Sequence, residues 1–191
     1  MRIYRCFLVL ALMLLVFNFS TMAQADNYAN TIEVFKKSPA VQPFFKNAYG
    51  YAVFPTIGKG GIGIGASYGS GQVYKGGTVT GIAKLFKGSI GFQLGGQAFS
   101  QIIFFEDKRA YDDFTSGNFE FDASASAVAI TAGAQAKAGT EGATAGASTG
   151  PGTGTQADSN YRKGMAVFVH IKGGAMYEAT IGGQKFTFEP N

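Results

Sequence analysis

Ala48-Tyr-Gly-Tyr-Ala-Val-Phe-Pro-Thr-Ile-Gly-Lys-Gly-Gly-Ile-Gly-Ile-Gly-Ala-Ser-Tyr-Gly-Ser-Gly71 decides the fold class of this chain. A strand-like run from Tyr51 to Phe54 stops at Pro55, a Gly-Lys-Gly-Gly turn follows, and strict alternation then begins. Side chains alternate across a strand, so Gly61, Gly63 and Gly65 share one face and Ile62, Ile64 and Ala66 the other. Glycine weakens a strand interior, so a bare face implies a bulky neighbour or a second backbone lying against it. A valine at Gly63 is therefore expected to clash.

The pattern continues on both sides. Tyr49–Phe54, Gly61–Tyr68, Gly71–Tyr74, Thr78–Phe86, Ser89–Gln97 and Phe99–Phe105 read as antiparallel strands, with hairpin turns at Gly69-Ser70 and Gly76-Gly77. Asp107 to Thr115 suits a short helix stopped by Gly117. Asn118 to Lys137 reads as one long strand, and Tyr161–Lys172, Ala175–Ile181 and Lys185–Phe188 as the last three. Residues 139–157, rich in Gly, Ala and Thr and poor in bulky side chains, are expected to form a mobile loop that can be deleted. Upstream, a first short helix ends near Lys37. Val41, Phe44, Phe45 and Ala48 then form one apolar stripe, with Pro43 opening a second helix, Pro43 to Ala48. The expectation is a mostly β domain: a strongly curved, barrel-like antiparallel sheet with short N-terminal helices and one short internal helix.

The first 25 residues read as an address. Arg2 and Arg5 precede an apolar run of 12 residues, Cys6 to Phe17, and Ala23-Gln24-Ala25 is a small-x-small cleavage site. A transmembrane helix needs about 20 apolar residues. The reading is a cleaved secretory signal, a single domain over 26–191, and a periplasmic or cell-envelope location. Cys6, the lone cysteine, leaves with that signal, which excludes thiolate catalysis and thiolate metal sites. The mature chain would hold 14 basic and 12 acidic residues, too balanced to argue for nucleic acid.

Catalytic patterns are weak. His170 is the single histidine, in phase with Phe168, and lacks the partners a triad or metal site needs. Gly58 to Gly63 fits G-x-G-x-x-G, but a dinucleotide fingerprint requires a helix after it. A backbone nest at Gly58–Gly61 beside Lys59 remains an alternative. The carboxylate pairs Glu106-Asp107 and Asp112-Asp113 look like solvated helix-end charges. Glu120 and Asp122 share one face of a strand, with nothing to single them out as a catalytic pair. No cofactor or metal is implied. Phe35-Lys36-Lys37 and Phe44-Phe45-Lys46 mix aromatics with lysines, which suits a membrane interface. The same pattern equally describes two helices packing phenylalanines on the sheet with lysines outward, the simpler reading of the residues alone.

Six ordered blocks point further. They are Ala48–Pro55, Lys59-Gly-Gly-Ile-Gly-Ile-Gly65, Gly69-Ser-Gly-Gln-Val-Tyr74, Ser89-Ile-Gly-Phe-Gln-Leu-Gly-Gly-Gln97, Ile102-Ile-Phe-Phe105 and Phe114-Thr-Ser-Gly-Asn-Phe119. With the ending Met176-Tyr-Glu-Ala-Thr-Ile-Gly-Gly-Gln-Lys-Phe186, the set resembles the SYLF domain, also called the Ysc84-type actin-binding domain, in its secreted bacterial form. The resemblance covers about Thr31 to Phe188. It implies a non-enzymatic lipid-binding domain, with actin bundling in some members. The matching lipid-facing residues are Phe35, Lys36, Lys37, Phe44, Phe45 and Lys46, with Lys59 in the glycine loop. An exported protein meets neither cytoplasmic actin nor phosphoinositides, so the expected partner is an anionic membrane surface. Two other readings stand beside it: a small integral outer-membrane β-barrel and a hydrolase using a carboxylate pair.

Overall fold

The computed structural model describes residues 27–62, 64–90, 97–123, 125, 127–130, 160–173 and 181–191. Expectations for the signal segment, Gly63, the 139–157 loop and the strand before Ile181 lie outside them. Residues 27–36 are helical (α1), followed by α2, Gln42–Asn47, with Pro43 in its first turn. Then come β1 (Gly50–Ile62), β2 (Ile64–Lys75), β3 (Thr78–Ile90), β4 (Gln97–Phe105), α3 (Lys108–Phe114), β5 (Phe119–Glu120), β6 (Val128–Ile130), β7 (Met165–Gly173) and β8 (Lys185–Pro190). The eight strands form one sheet in the order β5-β8-β3-β2-β1-β4-β7-β6, strongly curled into a half-barrel. The expected mostly β architecture holds, with one parallel pair, β6 on β7.

The curl follows from chain length. β5 and β6 are opposite edges of the sheet, yet eight peptide steps join Glu120 to Val128. An extended chain of that length reaches roughly 28 Å, and eight flat strands would be roughly 34 Å wide. The long strand expected over Asn118–Lys137 is therefore corrected as far as the described residues reach: Phe121–Ala123, Ala125 and Ala127 lie in a strap across the open side, and 131–137 lie outside the described residues. Its backbone is tied to the turn before β8, by Phe121 N–H to the Gln184 carbonyl at 3.0 Å and Gly183 N–H to the Phe121 carbonyl at 2.9 Å.

Four other sequence readings are corrected. Strand β1 does not stop at Pro55. The ladders to β2 and β4 both shift register between Val53 or Phe54 and Ile57, a bulge that frees the proline from pairing. The Pro55 carbonyl accepts a bond from Ser100 Oγ at 2.8 Å. Gly58–Gly61 is consequently ladder, paired with Tyr68 to Gly65, and neither a turn nor a nest. Gly61 and Gly65 face each other across a hairpin instead of following one another on a strand. Gly69-Ser70 lies inside β2. The hairpin turn at Gly76-Gly77 is present, with φ of 57° and 81° that suit glycine.

The core is split by the sheet. On the concave side Ala52, Phe54, Ile57, Leu85, Ile103, Phe105, Val167 and Phe186 pack together. Helix α3 plugs one end of this space: Asp107 caps it by accepting from Ala110 N–H at 2.8 Å, and Phe114 lies 5.0 Å from both Phe105 and Phe186. Helices α1 and α2 cover the convex faces of β1, β4 and β7, where Val53, Ile102, Phe104, Ala166 and Phe168 would otherwise meet water. Inside the half-barrel, Gln101 and Gln184 exchange two amide hydrogen bonds of 3.0 and 3.2 Å, both side chains buried. Gln101→Leu strands the Gln184 amide and is expected to cost about 1–3 kcal/mol. Urea denaturation measures this, and Gln101→Leu/Gln184→Leu should recover part of the loss.

Candidate functional site

Charge is distributed unevenly along this fold. Between Glu33 and Glu106 the chain has no acidic residue, and it carries Lys36, Lys37, Lys46, Lys59, Lys75, Lys84 and Lys87. That run makes up α2, β1, β2, β3 and β4, so half of the sheet and the helix over it contribute positive charge alone. No carboxylate motif draws the eye to it. The missing signal was the absence itself, legible in the sequence once acids are plotted along the chain.

The structure separates the aromatic and basic residues expected to face lipid. Phe35 is fully buried and Phe44 is 7% exposed. Phe44 packs on Phe104, Phe168 and Tyr161 with ring centroids 5.6, 5.0 and 5.1 Å away. Phe45 is half-buried, edge-on to Phe104 at 4.9 Å and Tyr51 at 5.5 Å. Phe35 and Phe44 are thus buried on the convex side of the sheet, and Phe45 is partly buried beside them. The physical reason is the apolar convex face of β1, β4 and β7, which the helices must cover. Lys36, Lys37 and Lys46 are exposed, and among the described residues none of them makes an ion pair. Lys36 Nζ lies 5.5 Å from the Phe45 ring centre. Lys59 is not beside them. Alternation along β1 turns it to the concave side, in one cross-strand row with the buried Ser67 and with Lys87.

Sequence reasoning missed the exposed aromatics. Tyr68 and Phe86 are 59% and 53% exposed, and they are direct cross-strand partners on β2 and β3. Both occupy the convex phase, beyond the cover of α1 and α2. The flanking alternation of buried and exposed positions, Ser67-Tyr68-Gly69 and Leu85-Phe86, fixes that phase.

Two concavities are lined by described residues. One, of about 320 Å³, opens under the strap between Phe119, Phe121, Met165, Val167 and Ile181. Its rim sets Arg109, Arg162 and Lys163 against Asp113, Glu120 and Asp122, so it selects no net charge. Lys163 contacts Asp122, and Arg109 Nη1 lies 3.3 Å from Asp113. The other, of about 430 Å³, is lined by Pro39, Pro43, Phe44, Asn47 and Tyr161. Tyr161 is pushed up to about 12, first by burial and then by Glu106, so it stays protonated. His170 stands on the convex side in register with Ser100. Burial, and then the Lys172 ammonium, hold it below its ordinary range, so it adds no charge to the surface at neutral pH. Every carboxylate among the described residues is exposed, and no set of three metal-ligating side chains occurs among them.

Comparison with known proteins places relatives beside this chain. The chain is 27% identical over 157 residues to Beta cell expansion factor A of Aeromonas veronii, an alignment covering 81% of this chain and 51% of that protein. The chain therefore spans about half the length of the curated relative it matches. The model of a family described as "Ysc84: Las17-binding protein actin regulator" matches residues 86–190, from the end of β3 through the strap to β8. That match covers more than half of the chain, which belongs to the Ysc84, or SYLF, family.

Proposed function

We propose that this protein is an exported, non-catalytic module that binds peripherally to an anionic membrane surface at the cell envelope. The observation that carries the reading is the acid-free run from residue 34 to residue 105 with its seven lysines. Each lysine near an anionic bilayer contributes about 1 kcal/mol, screened by salt. The Ysc84 family is associated with actin and lipid binding, and a one-signed surface suits the second. An integral barrel is less well supported. Such a barrel needs a closed ladder and an apolar belt, whereas here β5 and β6 end the sheet and helices cover part of its convex face. A carboxylate hydrolase is also less well supported, because the acids that ring the strap cavity are exposed and mostly ion-paired.

The test is co-sedimentation of the mature protein with phosphatidylglycerol-containing vesicles, neutral vesicles and actin filaments at low and high salt. Binding to the anionic vesicles that weakens with salt is expected. Lys36→Glu/Lys37→Glu/Lys46→Glu should weaken it by at least about tenfold with an unchanged melting temperature, since these lysines are solvated. Equal pelleting with neutral vesicles, or pelleting with filaments alone, would overturn the reading. Equal binding by the folded triple variant would move the site away from α1 and α2.

A further inference from the structure

The convex face of the β2–β3 hairpin has three features that the packing of the fold does not require. Two large aromatic side chains, Tyr68 and Phe86, stand side by side in water. Part of the surface beside them is bare backbone. Gly58 pairs with Tyr68, Gly60 follows two residues along the same face, and Gly88 lies two residues beyond Phe86. All three glycines are exposed, and no described atom lies within 4 Å of the position a Cβ would take. This distinguishes them from Gly69 and Gly71, whose missing side chains make room for Ile57 and Phe54. Glycine in a strand interior weakens the strand; it serves where a sheet bends sharply or where another body approaches the backbone closely. The open space above these three glycines suits the second use as well as the first. The third feature is charge. Lys84 and Lys185 flank Phe86 on this face, Lys59 and Lys87 lie on the reverse of the same strands, and the whole run from 34 to 105 is free of carboxylate.

The approaching body could be a second copy or a membrane. Lys84 and Lys185 are each offset by a glutamate on this same face. The discriminating charge is therefore that of Lys36, Lys37 and Lys46 on the helices of the same convex side, which have no ion-pair partner among the described residues. They repel a second copy and are drawn to an anionic bilayer. Tyrosine and phenylalanine also belong to the set of side chains that settle at the boundary of headgroups and acyl chains. The partners of Lys84 and Lys185 are Glu189 at 2.7 Å and Glu120 at 3.5 Å, both exposed pairs that leave the ammonium groups near the surface. We infer that the convex β2–β3 face, centred on Tyr68 and Phe86, is the part of the protein that enters an anionic bilayer, its two rings at the headgroup boundary and its glycines allowing lipid to lie against the strands. This rests on the membrane-binding reading above and adds to it a location and an insertion mode. The helical lysines then act at longer range, steering the protein without entering the lipid.

The chain contains no tryptophan, so Phe86→Trp introduces a single reporter at the centre of the face. With phosphatidylglycerol-containing vesicles the emission of this variant should shift to the blue and be quenched by brominated acyl chains. Asn118→Trp, at an exposed position in the loop after α3, should respond to neither. Tyr68→Ser/Phe86→Ser, a change confined to solvated positions, should keep its melting temperature and lose at least about tenfold in vesicle affinity. If the unaltered protein pellets with these vesicles while the emission of Phe86→Trp is unmoved and the double variant binds equally, the inference fails and the membrane reading stands. If the unaltered protein binds no vesicle, both fail. A blue shift that grows with protein concentration in the absence of vesicles would assign the face to a second copy and overturn the inference.

Discussion

Phe44→Ala is expected to destabilise the protein by about 3–5 kcal/mol, the range for removing a buried aromatic ring. The ring is 7% exposed and meets Phe104, Phe168 and Tyr161 at centroid distances of 5.0 to 5.6 Å, two of the three edge-on. These contacts join α2 to β4 and β7, so the loss should loosen both N-terminal helices from the sheet. Chemical denaturation of the variant and the parent gives the number directly. The measurement also separates two roles that look alike in the sequence. A phenylalanine held for lipid would leave stability nearly unchanged and reduce vesicle binding. A core phenylalanine does the reverse, and a cost below about 1 kcal/mol would return Phe44 to the surface.

Gly71→Val should cost about 3 kcal/mol or more, at or above the usual upper end for overpacking. A Cβ at this position would stand 2.6 and 2.7 Å from two carbons of the Phe54 ring and 2.7 Å from the Val53 carbonyl oxygen. The oxygen belongs to the ladder and cannot retreat. The ring is fully buried and leans on Phe186 at 5.6 Å, so it has no free rotamer to take. Gly71→Ala should shift stability in the same direction by less. Gly58→Ala is the control: nothing described lies near it, so removing a strand glycine there is expected to be neutral or to stabilise by up to about 1 kcal/mol. Equal melting temperatures for Gly71→Val and the parent would mean that Phe54 does not lie over this glycine.

These two residues show how far the sequence could be read. Alternation and glycine content pointed to most of the strands, the Gly76-Gly77 turn and α3, because each is written in residues close together along the chain. The bulge at Pro55 was not legible, since its cause lies in two neighbouring strands that shift together. Nor was the strap. Alternation at Phe119 and Phe121 is real, but whether such a segment continues as ladder depends on the distance to the far edge of the sheet. The site divided in the same way. Lysines facing water could be foreseen, whereas the burial of Phe35 and Phe44 depended on an apolar convex face whose partner elements are up to about 130 residues away in the chain. Tyr68 and Phe86 escaped notice because a lone aromatic on a strand usually means core, and only the position of the covering helices shows that these two have none.

The edges of the sheet bear on what happens when many copies share one surface. Adsorption onto a membrane raises local concentration steeply, and that is the circumstance in which open ladders grow from molecule to molecule. Among the described residues the outermost strands of the sheet are its shortest: β5 has two residues and β6 three. They are successive stops of one segment of chain, so neither can be peeled away without pulling on the other. So few outward backbone groups give a neighbouring molecule little to extend. On the membrane-binding reading proposed above, edges this short among the described strands would favour a layer of separate molecules.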